Sequence, residues 1–285
     1  MFAQIDTRNP HDVENQVRWI HRQLFPDSSD DFVPRVFGWA SQCFTGCYQD
    51  YLAIDARYHD FEHTLQGTLC LARLLHGRHQ AGIKPAVSRD LFELALVAIL
   101  FHDTGYLKRA DDREGTGAKY TLTHVVRSAE FAGQFLAGQG YSPEDASAVR
   151  HMIGCTGLNA NLHSIPFRND LERMLGCALA TADLLGQMAA PDYVEKLPIL
   201  YLEFAEAVQH DRRNAGRLAA YESPEDLARR TPSFWQNYVL PKIEHDFGRL
   251  HRFLIDPYPD GPNPYLDRIR QNVERIRAAN PAPGF

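Results

Sequence analysis

The sequence predicts an all-α chain on three observations. Apolar residues recur at helical spacing along most of the 285 residues, and no segment alternates convincingly enough to make a strand. Residues that favour helix starts stand before several of the apolar runs. Helices are expected at roughly 12–24, 31–54, 58–77, 88–103, 121–138, 143–155, 168–188, 191–211, 224–256 (broken near Pro241) and 263–279. Asp30 is the expected start of the second, Ser88 of the fourth, and Thr121 or Thr123 of the fifth; Ser142-Pro143 supplies cap and first residue of the sixth. Gly138 and Gly140 suit the end of the fifth helix, and Gly105 that of the fourth. No repeat or low-complexity tract interrupts the pattern, and residues 280–285 read as a frayed tail. The expectation is a single domain over 1–285.

Composition narrows the function classes. With 44% hydrophobic and 23% charged residues the chain reads as a soluble globular protein. A formal charge of −6, with no basic stripe interleaved with aromatics, argues against a nucleic-acid polymer as partner. The N-terminus shows no secretory signal and no stretch is long and apolar enough to span a membrane, so a cytoplasmic protein is expected. The cysteines at 43, 47, 70, 155 and 177 are odd in number and form no CxxC pair, which reads as reduced core thiols. Cys43 and Cys47 are spaced to share a helix face.

The chemistry concentrates at His102-Asp103. These residues end the run 91–101, which is apolar on nearly every side and therefore reads as a core helix. An aspartate there sits at the helix end whose dipole favours cations. A buried carboxylate without a partner costs several kcal/mol, so something cationic belongs beside it, and a metal ion meets that need. His11-Asp12, His59-Asp60, His210-Asp211 and His245-Asp246 share the dipeptide but not the context; His245-Asp246 reads as a solvated face.

Other residues join it. His59 and His63 lie four apart at the start of an expected helix, placing one to bind a metal and the other to act as acid or base. Asp183 lies in small, apolar company with no Lys or Arg adjacent in sequence, which marks a buried carboxylate satisfied most simply by a metal. His124 opens a helix and could complete a second metal site or hydrogen-bond a metal-held water or phosphate; it stands with His59 as a candidate catalytic residue. For His151 a structural role is favoured. The charged segment 104–120 reads equally as a mobile connection or as a binding lid, with Lys108 its first cation. Lys108 and Gln187, the latter one turn after Asp183, are the candidate substrate-binding residues; Tyr58 and Tyr201 are further pocket candidates.

In order, His63, His102-Asp103 and Asp183 resemble the H…HD…D ligand pattern of the HD-domain superfamily of metal-dependent phosphohydrolases. The resemblance covers residues of about 50–210 and implies an HD-type helical bundle there, with accessory helices at about 12–49 and 215–280. The stretch from Tyr58 to His63 is also similar to the signature of class I cyclic-nucleotide phosphodiesterases, in which the first histidine (here His59) protonates the leaving oxygen and the second (here His63) binds metal. That signature carries Asn after its first histidine, where this chain has Asp60. The implied cofactor is one or two divalent cations, with Zn, Mn, Fe, Ni, Co and Mg all open. The implied reaction is hydrolysis of a phosphodiester or phosphomonoester of a nucleotide-like small molecule by a metal-activated water. Two alternatives stand beside it: an HD-type di-iron oxygenase using His124 and His151, and a non-catalytic nucleotide-sensing module. The region of Trp235, Tyr238 and Phe247 either packs inward or forms a homodimer face.

Overall fold

Helix chemistry written into the sequence is realised as ten α-helices in the computed structural model, which describes residues 2–280. The first five are α1 (Pro10–Leu24), α2 (Phe32–Phe44), α3 (Phe61–Gln80), α4 (Arg89–Phe101) and α5 (His124–Gly138). The second five are α6 (Pro143–Gly154), α7 (Asp170–Met188), α8 (Tyr193–His210), α9 (Pro224–Phe234) and α10 (Pro264–Ala279). Among the described residues there is no strand, only a single antiparallel bridge between Tyr51 and Arg109. No described helix is long and apolar enough to cross a membrane. Of the tail expected to fray, residues 281–285 lie outside the described part.

The helix starts follow their side chains. Ser88 accepts from the Leu91 amide at the head of α4, Ser142 caps α6 with Pro143 in its first turn, and Asn169 caps α7. Two expected signals do something else. Asp30 does not cap α2 but binds the guanidinium groups of Arg18 and Arg22. Gly105 is not a cap glycine: a Cβ there would lie 2.0 Å from the His124 carbonyl oxygen, so it lets the start of α5 approach.

Other boundaries shift for physical reasons. The helix expected over 31–54 stops at Phe44, where the Thr45 hydroxyl donates to Ser41 O at 2.7 Å and Gly46 turns at φ +73°. Cys47 therefore lies beyond α2 and shares no face with buried Cys43; all five cysteines are free thiols. The helix expected from 58 begins at Phe61, because Asp60 folds back to accept from the His63 amide at 2.8 Å. The last broken stretch resolves into α9, π-helical turns at Trp235–Val239 and Lys242–Asp246, and a 3₁₀ turn at Leu250–Leu254. Trp235 and Phe247 are buried within the chain's own core.

α4 is the centre of the molecule, with every side chain from Leu94 to Phe101 buried. α3 packs most extensively against α7, and α5 against α6, while Val17 of α1, Val36 of α2 and Ile269 of α10 reach the same apolar core. α3 and α7 cross at glycine: a Cβ on Gly186 would lie 2.9 Å from the backbone at Gln66 and Gly67. That close approach brings the N-terminal turns of α3 up to the C-terminal third of α7.

The segment 104–120 is built in rather than loose. It contains 3₁₀ turns at Thr104–Tyr106 and Gly117–Tyr120, and Lys108 and Lys119 are buried. Glu206 of α8 accepts from the Thr116 amide at 2.5 Å and from its hydroxyl at 2.6 Å, and Asp55 accepts from the Gly117 amide at 2.6 Å.

Candidate metal centre

Three segments deliver the candidate ligands. His63 stands in the first turn of α3, His102 caps the C-terminus of α4 with Asp103 just after it, and Asp183 projects from the C-terminal third of α7. All four are buried. Ligand atoms of His63, His102 and Asp103 lie within 4.8 Å of one another. Nε2 of His63 is 3.2 Å from Asp103 Oδ2 and 3.3 Å from Asp183 Oδ1. Nε2 of His102 is 3.4 Å from each of the same two oxygens.

Whether these residues suit a cation is decided by their hydrogen bonding. Nδ1 of His102 lies 2.7 Å from the Ile99 carbonyl, which fixes the proton on that nitrogen and leaves Nε2 with a lone pair. Nε2 of His102 and Oδ2 of Asp103 are buried and have no hydrogen-bond partner, although each lies within 3.4 Å of an opposite group. Buried polar atoms normally find one. Around a shared cation with bonds of about 2.1 Å, adjacent ligand atoms lie about 3.0–3.4 Å apart, the spacing of these imidazole–carboxylate pairs. The donor set of imidazole and carboxylate fits a divalent metal.

Electrostatics point the same way. Burial alone would strip the proton from His63, but Asp103 and Asp183 outweigh it and push its pKa up to about 10. His102 is raised in the same manner. Burial opposes charge on Asp103 and Asp183, yet the two histidines hold both carboxyls well below the usual range. Two buried carboxyls held in the charged form draw positive charge to the pocket.

Around this centre lie the remaining candidates. His59 is not on α3; it precedes the Asp60 cap, and its ring centroid lies 5.3 Å from that of His63. Its Nδ1 is 2.5 Å from Oε2 of Glu203 on α8. The other oxygen of Glu203 accepts from the Tyr58 amide at 2.6 Å and the His59 amide at 3.4 Å. Burial disfavours charge on Glu203, but His59 and these bonds prevail and hold its carboxyl below the usual range. His124 has Nδ1 2.6 Å from Thr121 O and Nε2 3.8 Å from Asp103 Oδ1. Burial depresses its pKa and so favours the neutral ring. His59 and His124 both stack on the fully buried Tyr106, at 4.7 and 4.8 Å between centroids.

Other expectations need correction. Lys108 is not presented to a substrate: its ammonium is buried against Asp55 Oδ2 at 2.8 Å and donates to Gly115 O at 2.7 Å, so it fastens its own loop. Gln187 is on the face of Asp183 as expected, but its amide donates to Asp183 Oδ1 at 3.2 Å and accepts from the Tyr58 hydroxyl at 2.9 Å. It orients the Asp183 carboxylate. Tyr201 donates to Glu222 O, away from the centre. His151 pairs with Glu172 rather than with the metal candidates.

Glu203 and Tyr106 escaped the sequence reading. Glu203 carried the same signal as Asp183, a carboxylate on the stripe that includes Leu200 and buried Ala207.

A family model described as Npun_R2479-like matches residues 13–253, a span that includes every candidate ligand. No curated protein matches the chain. The chain belongs to the Npun_R2479-like family.

Proposed function

We propose that the chain is a divalent-metal-dependent phosphohydrolase of the HD-domain kind, acting on a small, nucleotide-like phosphate ester. One observation carries the reading: two imidazoles and two carboxylates converge, with buried, unpartnered donor atoms, beside a histidine held by a carboxylate. When bound, a divalent cation supplies Lewis acidity, drawing charge from a phosphoryl oxygen and acidifying water. His63, His102, Asp103 and Asp183 would hold it. Gln187 steadies the Asp183 carboxylate, and Ile99 O fixes the His102 tautomer. His59 protonates the leaving oxygen through Nε2, since its Nδ1 is committed to Glu203. Glu203 stabilises the protonated ring and sets its direction.

A second reading, an oxygen-activating di-iron enzyme, is favoured by a different contact. The second oxygen of Asp103 faces Nε2 of His124 at 3.8 Å, so the carboxylate has an imidazole on each side. Elemental analysis of the purified chain, with phosphodiester and phosphomonoester turnover on the same sample, separates the two. Bound divalent metal with metal-dependent release of phosphate-ester products supports the hydrolase. Two irons without hydrolysis support the oxygenase, and no metal under any loading condition ends both.

A further inference from the structure

Glu172 sits in the first turn of α7, eleven residues before Asp183, so about 16 Å of helix separates it from the candidate metal centre. Its side chain is fully buried. Oε2 accepts from Arg168 Nε at 2.7 Å, and Oε1 lies 2.7 Å from Nδ1 of His151. Burial opposes charge on Glu172, but Arg168 and His151 outweigh it and hold the carboxyl below the usual range. With Nδ1 engaged by a carboxylate, the imidazole presents a lone pair at Nε2. That atom is 3.3 Å from Oγ of Ser147, one turn earlier on α6.

The partner chosen by this hydroxyl is informative. Thr68, Thr181 and Thr231, also within helices, each donate to the carbonyl four residues back, at 2.8, 2.8 and 2.9 Å. That is the ordinary habit of a helix hydroxyl. Ser147 instead reaches forward to His151. Both side chains are partly exposed, and Phe167 sets its ring edge-on to His151 as an apolar wall.

We propose that Ser147 is a covalent acceptor site, a hydroxyl activated by His151 and Glu172 that takes the acyl group of an activated ester. As Oγ attacks the acyl carbon, His151 Nε2 takes the hydroxyl proton. The bond to the leaving oxygen breaks, the leaving group keeps the bonding pair, and His151 returns the proton to it. The products are an O-acyl serine and a free alcohol, with no change in oxidation state. Glu172 stabilises the transient imidazolium. The amides of α6 around Ser147 are spent in the helix, so none is turned toward a developing oxyanion. The site therefore retains an acyl group rather than turning esters over rapidly.

The test is to treat the full chain with p-nitrophenyl acetate at mildly alkaline pH and map acetylated residues by mass spectrometry. The expected result is acetylation of Ser147 ahead of the exposed hydroxyls of Ser142 and Ser164, matched by nitrophenolate release. His151→Gln should slow it by about 10²-fold, the lower end of what a positioned base contributes. Ser147→Ala should abolish it while metal content and phosphate-ester turnover stay unchanged, which separates this site from the metal centre. Acetylation of lysines alone, or of all three serines at one rate, overturns the proposal, as does an unchanged rate in His151→Gln. Should that variant fail to fold, the comparison among the three serines of the native chain decides.

Discussion

Nδ1 of His59 lies 2.5 Å from Oε2 of Glu203, a carboxylate 144 residues further along the chain. The same carboxylate also receives the backbone amides of Tyr58 and His59. It therefore fixes the loop as well as the ring. Glu203→Gln keeps the shape but removes the charge that stabilises a protonated imidazole. We expect metal content to hold while turnover falls by about 10–10²-fold, the usual scale for a residue that orients another. Unchanged turnover, read from kcat at saturating substrate, would remove Glu203 from the proposed mechanism.

His59 and Asp103 should separate chemistry from metal retention. His59→Ala should keep the metal and lose about 10²–10⁴-fold in turnover, the range of a general acid. Asp103→Ala should lose the metal too. Equal metal content and equal activity in the two variants would sink the assignment of roles.

Metal-free protein should show a distinctive stability profile. The folded state raises the pKa of His63 from its ordinary 6.5 to about 10. A raised pKa contributes stability that is complete below the unfolded value and is lost as pH climbs through the folded one. The lowered carboxyls of Asp103 and Asp183 act oppositely, their contribution being lost as pH falls below the ordinary carboxylate range. Thermal melts of chelator-treated protein should therefore weaken from near pH 6.5 toward pH 10. Metal affinity should rise over the same window, because the cation must displace those protons. An affinity independent of pH would contradict the ligand set.

Gly186→Ala tests the crossing of α3 and α7. The added methyl would meet the backbone of Gln66 and Gly67 at 2.9 Å, and no flexible side chain is there to yield. We expect a loss of about 1–3 kcal/mol in denaturant unfolding, the scale of overpacking. Metal affinity should fall with it, since the crossing sets the distance from His63 to Asp183.

Much of the fold was legible because local chemistry and tertiary environment agree. Ser88, the apolar run to Phe101 and the abrupt change at His102-Asp103 marked α4, its cap and the end that carries two candidate ligands. Agreement fails where residues serve distant partners. Tyr48, Tyr51 and Ile54 extended an apolar pattern past α2, yet they pack on the core from a non-helical segment. His59 and His63 were paired by a helix period that does not apply, because Asp60 starts the helix between them; the two rings meet through the cap instead. Lys108 read as a free cation because its partner, Asp55, is remote in sequence. Long-range pairings of this kind leave no periodic trace.

α8 holds two neighbouring carboxylates that fasten different segments. Glu203 grips the amide of Tyr58, and Glu206, one turn on, grips that of Thr116. Local opening of a structure proceeds in cooperative pieces, and groups fastened to one piece are released together. The loop bearing His59 and the segment around Thr116 thus share one fate when α8 detaches. In native-state hydrogen exchange, the amides of Tyr58 and Thr116 should report a common opening free energy, and Glu206→Ala should lower protection at both.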